Sequence, residues 1–306
     1  MKIRKVLFYL LIFTISISLI GCTESNQDKP KKESNSKYPI KIVDGMDRKI
    51  DIESEPKRII SIAPSVTETI YKLNKQDLLV GRTEYCDYHK KAKKIATIGS
   101  LQQPNIEKII SLKPDIVFAS THFKEESLKQ LEKLNIKVVM IFSQKSFKGV
   151  YSNINLMGEI LNAKKEAKSV IDEMKKEVKL VKDTVKDLEK KTVYYVIGFG
   201  NGNDFTATGE TFISEMIEMA GGTNIAKDAT GWQYSLEKLI EKNPDAIISR
   251  KKFIDELKVA NGYKSLDAIK NDRIVAVNNN LVERMGPRLS KGLLELAKAI
   301  HPKAFE

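Results

Sequence analysis

Cysteine is almost absent: the 306 residues contain two, Cys22 and Cys86. That excludes a disulfide framework as the source of stability. Histidine is nearly as scarce. His89, His122 and His301 stand at neither HxxxH nor HExxH spacing, the patterns that bring two imidazoles onto one metal. His301 precedes Pro302 at the end of a predicted helix, where it complements the helix dipole. The segment Cys86-Asp87-Tyr88-His89 offers one thiol and one imidazole, too few to complete a zinc site. A GxSxG elbow is missing. Residues 198–202, GFGNG, follow a predicted strand but lack the GxGxxG spacing of a dinucleotide loop. No convincing catalytic constellation emerges, so the expectation is no enzyme, no cofactor and no resident metal. Basic residues outnumber acidic ones, 52 to 40, yet the lysines are dispersed among Glu and Asp as on solvated helix faces. Without a basic-aromatic cluster, nucleic acid is not an expected partner.

What is present begins at the N-terminus. MKIRK is basic, residues 6–20 form an apolar run of 15, and the run ends Leu19-Ile20-Gly21-Cys22. It is shorter than the ~20 residues that cross a bilayer comfortably. The segment resembles a bacterial lipoprotein leader with its lipobox. That implies a signal peptide over 1–21 and a lipidated Cys22 as the first mature residue. Lys2, Arg4 and Lys5 would leave with the leader. Residues 23–37, TESNQDKPKKESNSK, hold no apolar residue except Pro30 and cannot bury a core. Residues 22–38 are therefore expected to be a flexible tether. No later apolar run reaches transmembrane length, which leaves a soluble body tied to a membrane by lipid. The lysine- and isoleucine-rich composition and the long tether favour a Gram-positive surface over a periplasm.

The body carries one segment twice. Residues 105–120, NIEKIISLKPDIVFAS, and 235–250, SLEKLIEKNPDAIISR, align at an offset of 130. Glu107/Glu237, Lys108/Lys238, Ile110/Ile240, Pro114/Pro244 and Asp115/Asp245 match. Each copy reads as a short amphipathic helix, a proline stop and a strand. Two related α/β lobes would give this pattern, and so would two generic α/β connections. Length favours two domains of ~100–200 residues each. Around the first copy, residues 40–52 predict a hairpin, 58–61 a strand, Pro64 a helix start, 78–82 a strand, 124–134 a helix and 137–142 a strand. Around the second, 192–197 predict a strand, 211–220 a helix, 273–278 a strand and 289–300 a helix halted by Pro302. Strands alternating with such helices indicate parallel βαβ units. Between the halves, 147–161 predict one helix and 164–190 a longer one. The latter would span about 40 Å and is read as a strut. The expected fold is thus α/β: a lobe over 39–163, an interlobe helix over 164–190 and a lobe over 191–306.

In such a fold the ligand lies between lobes at the carboxyl ends of the strands. The loops predicted there carry Arg82 and Tyr85, His122, Phe199, Trp232, and the 280–284 stretch with Asn280, Glu283 and Arg284, followed by Arg288. Aromatic rings supply flat contact area, and arginines bind carboxylate or phosphate. The segments RIISIAPSVTETIYKL, LLVGRTEYCDY, IGSLQQPNIEKIISLKPDIVFAS, FISEMIEMAGGTNIA and ERMGPR resemble the iron-siderophore/cobalamin class of ABC-transporter substrate-binding proteins over residues 40–302. The resemblance implies two Rossmann-like lobes with central parallel sheets joined by one rigid helix, the class III periplasmic-binding-protein fold. It implies capture of a metal chelate, a corrinoid or a ferric siderophore, by a monomer that serves an ABC importer. Glu107 and Glu237 fall where that class grips its permease subunits, one per lobe. Tyr85, Trp232 and 280–284 fall on cleft positions of the vitamin B12 binders. Leu101, Asn280 and Leu281-Val282 depart from that pattern, and Arg82, Arg284 and Arg288 could make the cleft cationic. Alternatives are a lipid-anchored enzyme using Cys86 and His89, or a binder of haem or of a bare metal ion.

Overall fold

The computed structural model describes residues 37–142, 145–200 and 203–306. The expected leader, Cys22 and all but the end of the expected tether lie outside these. Tyr38, placed in the tether by sequence, instead belongs to the packed body: its hydroxyl donates to the Ile160 carbonyl at 2.7 Å, because an aromatic ring gains more by burial than a polar linker can.

The chain opens with an antiparallel hairpin, β1 (Ile40–Val43) and β2 (Lys49–Ile52). Asp44 fixes its turn. The Asp44 carboxylate accepts from the backbone N–H groups of Met46, Arg48 and Met140 and from the Arg48 guanidinium. The last of these backbone bonds clips the hairpin to the sheet of the first lobe. That sheet is wholly parallel, in the order β4 (Leu79–Arg82), β3 (Ile59–Ser61), β5 (Ile116–Ser120), β6 (Lys137–Ile141). Its helices are α1 (Pro64–Lys72), α2 (Ile106–Ser111) and α3 (Glu125–Lys133). Pro64 stands in the first turn of α1, where its fixed φ and missing N–H cost nothing.

Two helices lead to the second lobe: α4 (Phe147–Ile160) and α5 (Lys164–Val185). The strut is shorter than the sequence suggests. α5 stops at Val185 with no further helix to Lys190, and its 22 residues span about 33 Å. The apolar stripe Val170, Met174, Val181 and Val185 is buried, whereas Leu188 is 37% exposed. Beyond Val185 the one apolar residue before β7, Leu188, is only partly covered, and propensity alone is weak.

The second sheet has the expected parallel centre and adds an antiparallel edge. The strands β7 (Lys191–Gly198), β11 (Ala246–Arg250) and β12 (Ile274–Val277) are parallel, with β9 (Gly222–Asn224) beside the start of β7. The edge is antiparallel: β8 (Asn203–Thr206) pairs with the end of β7, and β10 (Gln233–Ser235) with β8. Strands of three or four residues are too short to show alternation in sequence. The helices are α6 (Phe212–Met219), α7 (Leu236–Lys242), α8 (Ile254–Val259), α9 (Asp267–Lys270), α10 (Asn279–Val282) and α11 (Leu289–Ile300).

The two copies of the repeat coincide in local structure. Asn105 and Ser235 cap α2 and α7 by accepting from the N–H of Lys108 and Lys238. Lys113 and Asn243, each directly before the matched proline, are both left-handed, with φ of 46° and 38°. One apolar core runs through both lobes, from Ile59 and Val66 through α4 and α5 to Val193, Phe212 and Leu293. Phe147 meets Phe212 across the join with centroids 5.6 Å apart. The lobes thus share a packed back, and α5 forms part of it.

Candidate ligand cleft

The carboxyl ends of β4, β5, β7, β11 and β12 supply the candidate loops. After β4 the chain turns at 83–89. Arg82 does not face a ligand. It is buried, and its guanidinium donates to the carbonyls of Ala92, Thr83 and Lys93 at 3.1, 2.9 and 3.2 Å, folding the following loop back on the strand. Tyr85 and Tyr88 are half exposed, at 51% and 50%. Cys86, between them, is buried and receives the Thr67 hydroxyl at 2.9 Å. His122 is exposed after β5. Phe199 packs edge-on against Phe253 and Tyr263, at 5.5 and 5.8 Å between centroids, so most of its ring serves the core of the second lobe.

Trp232 stands where β10 begins. Its carbonyl accepts from Thr206 N–H at 3.0 Å, and the preceding Gly231 N–H bonds the Glu210 carboxylate at 2.7 Å. Trp232 itself is left-handed, with φ of 65°. This conformation is uncommon for a bulky side chain and is held only where the surroundings impose it. Trp232 as a residue is 42% exposed. Asn280 is half-buried on α10. Glu283, at the end of the same stretch, is held by Arg250 through two bonds of 2.9 and 2.6 Å and by the Tyr195 hydroxyl at 3.3 Å.

Arg284 and Arg288 are brought together on a residue that the sequence did not single out. Glu68, on the buried face of α1, accepts from Arg288 Nε and a terminal nitrogen at 2.8 and 2.7 Å and from Arg284 at 3.0 Å. Arg284 also bonds Asp87 at 3.0 Å, and the guanidinium of Arg288 lies 3.6 Å from the centroid of the Tyr88 ring. This network joins the two lobes at the cleft. His89 lies beside it, its ring stacked on Tyr71 at 4.0 Å and 7°. Burial pushes the His89 imidazole below its ordinary value, and Arg288 and Lys72 push the same way, against Glu68. The only advance sign of Glu68 was a charge in the apolar helix VTETI, since a buried charge demands a partner.

The described chain contains seven arginines. Each has a partner: Arg48 on Asp44, Arg58 and Arg82 on loop carbonyls, Arg250 on Glu283, Arg273 on Asp245, and Arg284 and Arg288 on Glu68. The cleft is therefore less cationic than its arginine count suggests. Glu107 and Glu237 differ from these groups. Each occupies the second position of its helix, exposed, and neither pairs with a described residue.

The profile described as periplasmic binding protein matches residues 59–281, from β3 into α10 and so across both sheets. The chain belongs to this family of periplasmic binding proteins. It is 33% identical to the uncharacterized ABC transporter substrate-binding lipoprotein YvrC of Bacillus subtilis (strain 168), over 97% of this chain and 96% of that one. It is 27% identical to a cobalamin-binding protein of Halobacterium salinarum, over 86% of this chain and 74% of that one. Among solved structures, a possible iron-binding periplasmic solute-binding protein of Staphylococcus epidermidis is 31% identical with a TM-score of 0.72, over 81% of this chain and 100% of that one. The family is one of solute-binding proteins of ABC transporters, not of enzymes. The class III fold matches it, and the geometry of Cys86 and His89 agrees: the thiol is bonded to threonine and the imidazole is stacked on tyrosine, each with a different partner. Among the described residues, no group of three or more His, Cys, Asp or Glu side chains could hold a metal ion.

Proposed function

We propose that this periplasmic binding protein captures a corrinoid-type metal chelate between its lobes and delivers it to an ABC importer, as a lipoprotein anchored through Cys22 outside the cytoplasm. The observation that carries the choice of ligand is the commitment of every cleft arginine. Polyanionic ferric chelates are gripped by free guanidinium groups. Here Arg82, Arg250, Arg284 and Arg288 are spent within the protein. Apart from the exposed Lys251 and Lys252 after β11, the side chains that remain available in these loops are Tyr85, His122, Trp232 and Asn280. Such a lining suits a large flat macrocycle bearing carboxamides. The likeness to cobalamin- and vitamin B12-binding proteins supports the reading. The shared core limits the lobes to small movements on capture. Glu107 and Glu237 serve as the docking points for permease subunits. The leader and lipobox support the anchor, as does the likeness to a protein named a lipoprotein.

The test is a titration of the purified protein, read by the fluorescence of its one tryptophan, with cyanocobalamin, cobinamide, haemin, ferric citrate, and catecholate and hydroxamate ferric chelates. Saturable quenching by the corrinoids alone is expected. Saturation by ferric citrate or a ferric catecholate, with none by corrinoids, would overturn the ligand assignment. A flat response to the whole panel, repeated by calorimetry, would overturn capture of such chelates.

A further inference from the structure

We propose that Glu68 is a positioning residue for ligand capture: it sets the spacing of the lobes at the cleft and couples that spacing to the loop carrying Tyr85. At the back, the lobes are joined by apolar packing around α4 and α5. At the cleft, the join is ionic and centred on one carboxylate. Glu68 is 2% exposed and holds one guanidinium through two bonds and a second through one. Two cations on one anion leave a positive charge over, and Asp87 supplies the balancing anion on Arg284. Tyr88, the next residue, lies against Arg288. Successive residues of the 83–89 loop therefore hold the two arginines, one each, and Tyr85 lies two residues upstream of the first contact.

The parts differ in freedom. The side chains of Glu68 and Arg288 are 3% and 9% exposed, whereas Asp87 is 49% exposed and Tyr88 50%. A molecule that engages the 83–89 loop thus changes the outer grip on the arginines while the inner carboxylate stays fixed. Backbones also meet here. A Cβ added to Gly286, between the two arginines, would lie 3.2 Å from Ser65 Cβ and 3.3 Å from its carbonyl oxygen. Any shift of the 284–288 segment is consequently felt at the start of α1. Because an unpaired buried charge is strongly unfavourable, the carboxylate admits one arrangement of the arginines, and with it one spacing of the lobes.

The ligand arm of the test rests on the reading above, and the spacing arm does not. The full chain is compared with Glu68→Gln, Asp87→Asn and Gly286→Val by amide hydrogen exchange, thermal unfolding and cyanocobalamin titration. In Glu68→Gln, exchange across 284–288 should rise without ligand, and cyanocobalamin affinity should fall about tenfold, the scale of ordinary site-to-site coupling. Gly286→Val, which keeps every charge but wedges the backbones, should lose affinity in the same direction. Asp87→Asn should weaken binding with an unchanged melting temperature, because its carboxylate is half exposed. If Glu68→Gln merely melts earlier and binds cyanocobalamin as the wild type does, Glu68 is structural and the proposal fails. Wild-type affinity in Asp87→Asn removes the coupling to the loop. If the wild type itself does not bind cyanocobalamin, the ligand reading falls, and unaltered exchange at 284–288 in Glu68→Gln would then overturn the spacing role on its own.

Discussion

Asp115 and Asp245 perform the same task 130 residues apart. Asp115 accepts from the backbone N–H groups of Lys57 and Arg58 at 2.7 and 2.8 Å, immediately before β3. Asp245 accepts from the N–H and hydroxyl of Thr192 in β7 at 2.9 and 2.8 Å. Each aspartate therefore ties its own strand, β5 or β11, to the strand it pairs with. The repeated Pro-Asp is a connection device used twice, on neighbouring strands with the same relationship. Replacing either aspartate by alanine should lower stability by about 1–2 kcal/mol, the worth of two bonds to a partly exposed carboxylate. The urea midpoint should fall with no change in slope, and an unchanged midpoint in both variants would remove the staple.

Asp44→Asn should cost more, about 2–4 kcal/mol, because the side chain is fully buried and its loss leaves Arg48 without its main counter-charge. Burial works to raise the Asp44 pKa, but the Arg48 guanidinium and the N–H groups of Met140, Met46 and Arg48 outweigh it and hold the carboxyl below 3.8. A depressed carboxyl contributes stability that is present above the unfolded value and lost as pH falls through the folded one. The difference in melting temperature between wild type and Asp44→Asn should thus be full at neutral pH and shrink in acid below 3.8. A difference independent of pH would contradict the ionic role.

The fold was more legible in the sequence than the site, for a physical reason. The helix over 289–300 and the start of α1 at Pro64 are found residue for residue, because apolar period and proline geometry act locally. The edge strands β8 and β10 escape, being too short to alternate. Arginine in the cleft loops was visible as a residue type, but not its use. Arg288 and Glu68 are 220 positions apart, and nothing local to either reveals the other. Arg82 shows the same limit at short range: its partners are backbone carbonyls, which every residue has.

His89 should give the protein an acid-sensitive slope. The groups facing it are Glu68, Tyr71 and Lys72 from α1, Tyr88 from its own loop and Arg288 from the other lobe. Burial, the largest effect, holds the folded imidazole below 6.5. The unfolded chain then takes up the proton first as pH falls through that value, so stability decreases on acidification from there down to the folded pKa. The slope cannot exceed about 1.4 kcal/mol per pH unit for one group. His89→Phe keeps the stack on Tyr71 and should flatten this part of the melting-temperature profile. A profile as steep as the wild type would assign the slope elsewhere.

Glu107 and Glu237 are expected to matter for delivery and for nothing else. Both are exposed, both follow a capping residue at the start of a short helix, and neither pairs with a described residue. Exposed carboxylates contribute little to stability, so the double variant Glu107→Ala/Glu237→Ala should unfold within about 0.5 kcal/mol of the wild type. Cyanocobalamin affinity should be unchanged, because the two residues lie on helices outside the Glu68 network. Uptake through the cognate importer, reconstituted in proteoliposomes, should be abolished, and each single variant should retain part of it. Their pairing with basic groups on the permease would set orientation and encounter rate more than affinity, so uptake by the single variants should also fall less steeply with added salt than the wild type's, because part of the screened attraction is already gone. Undiminished uptake by the double variant would remove the docking role from both residues and leave the repeat as a structural feature only.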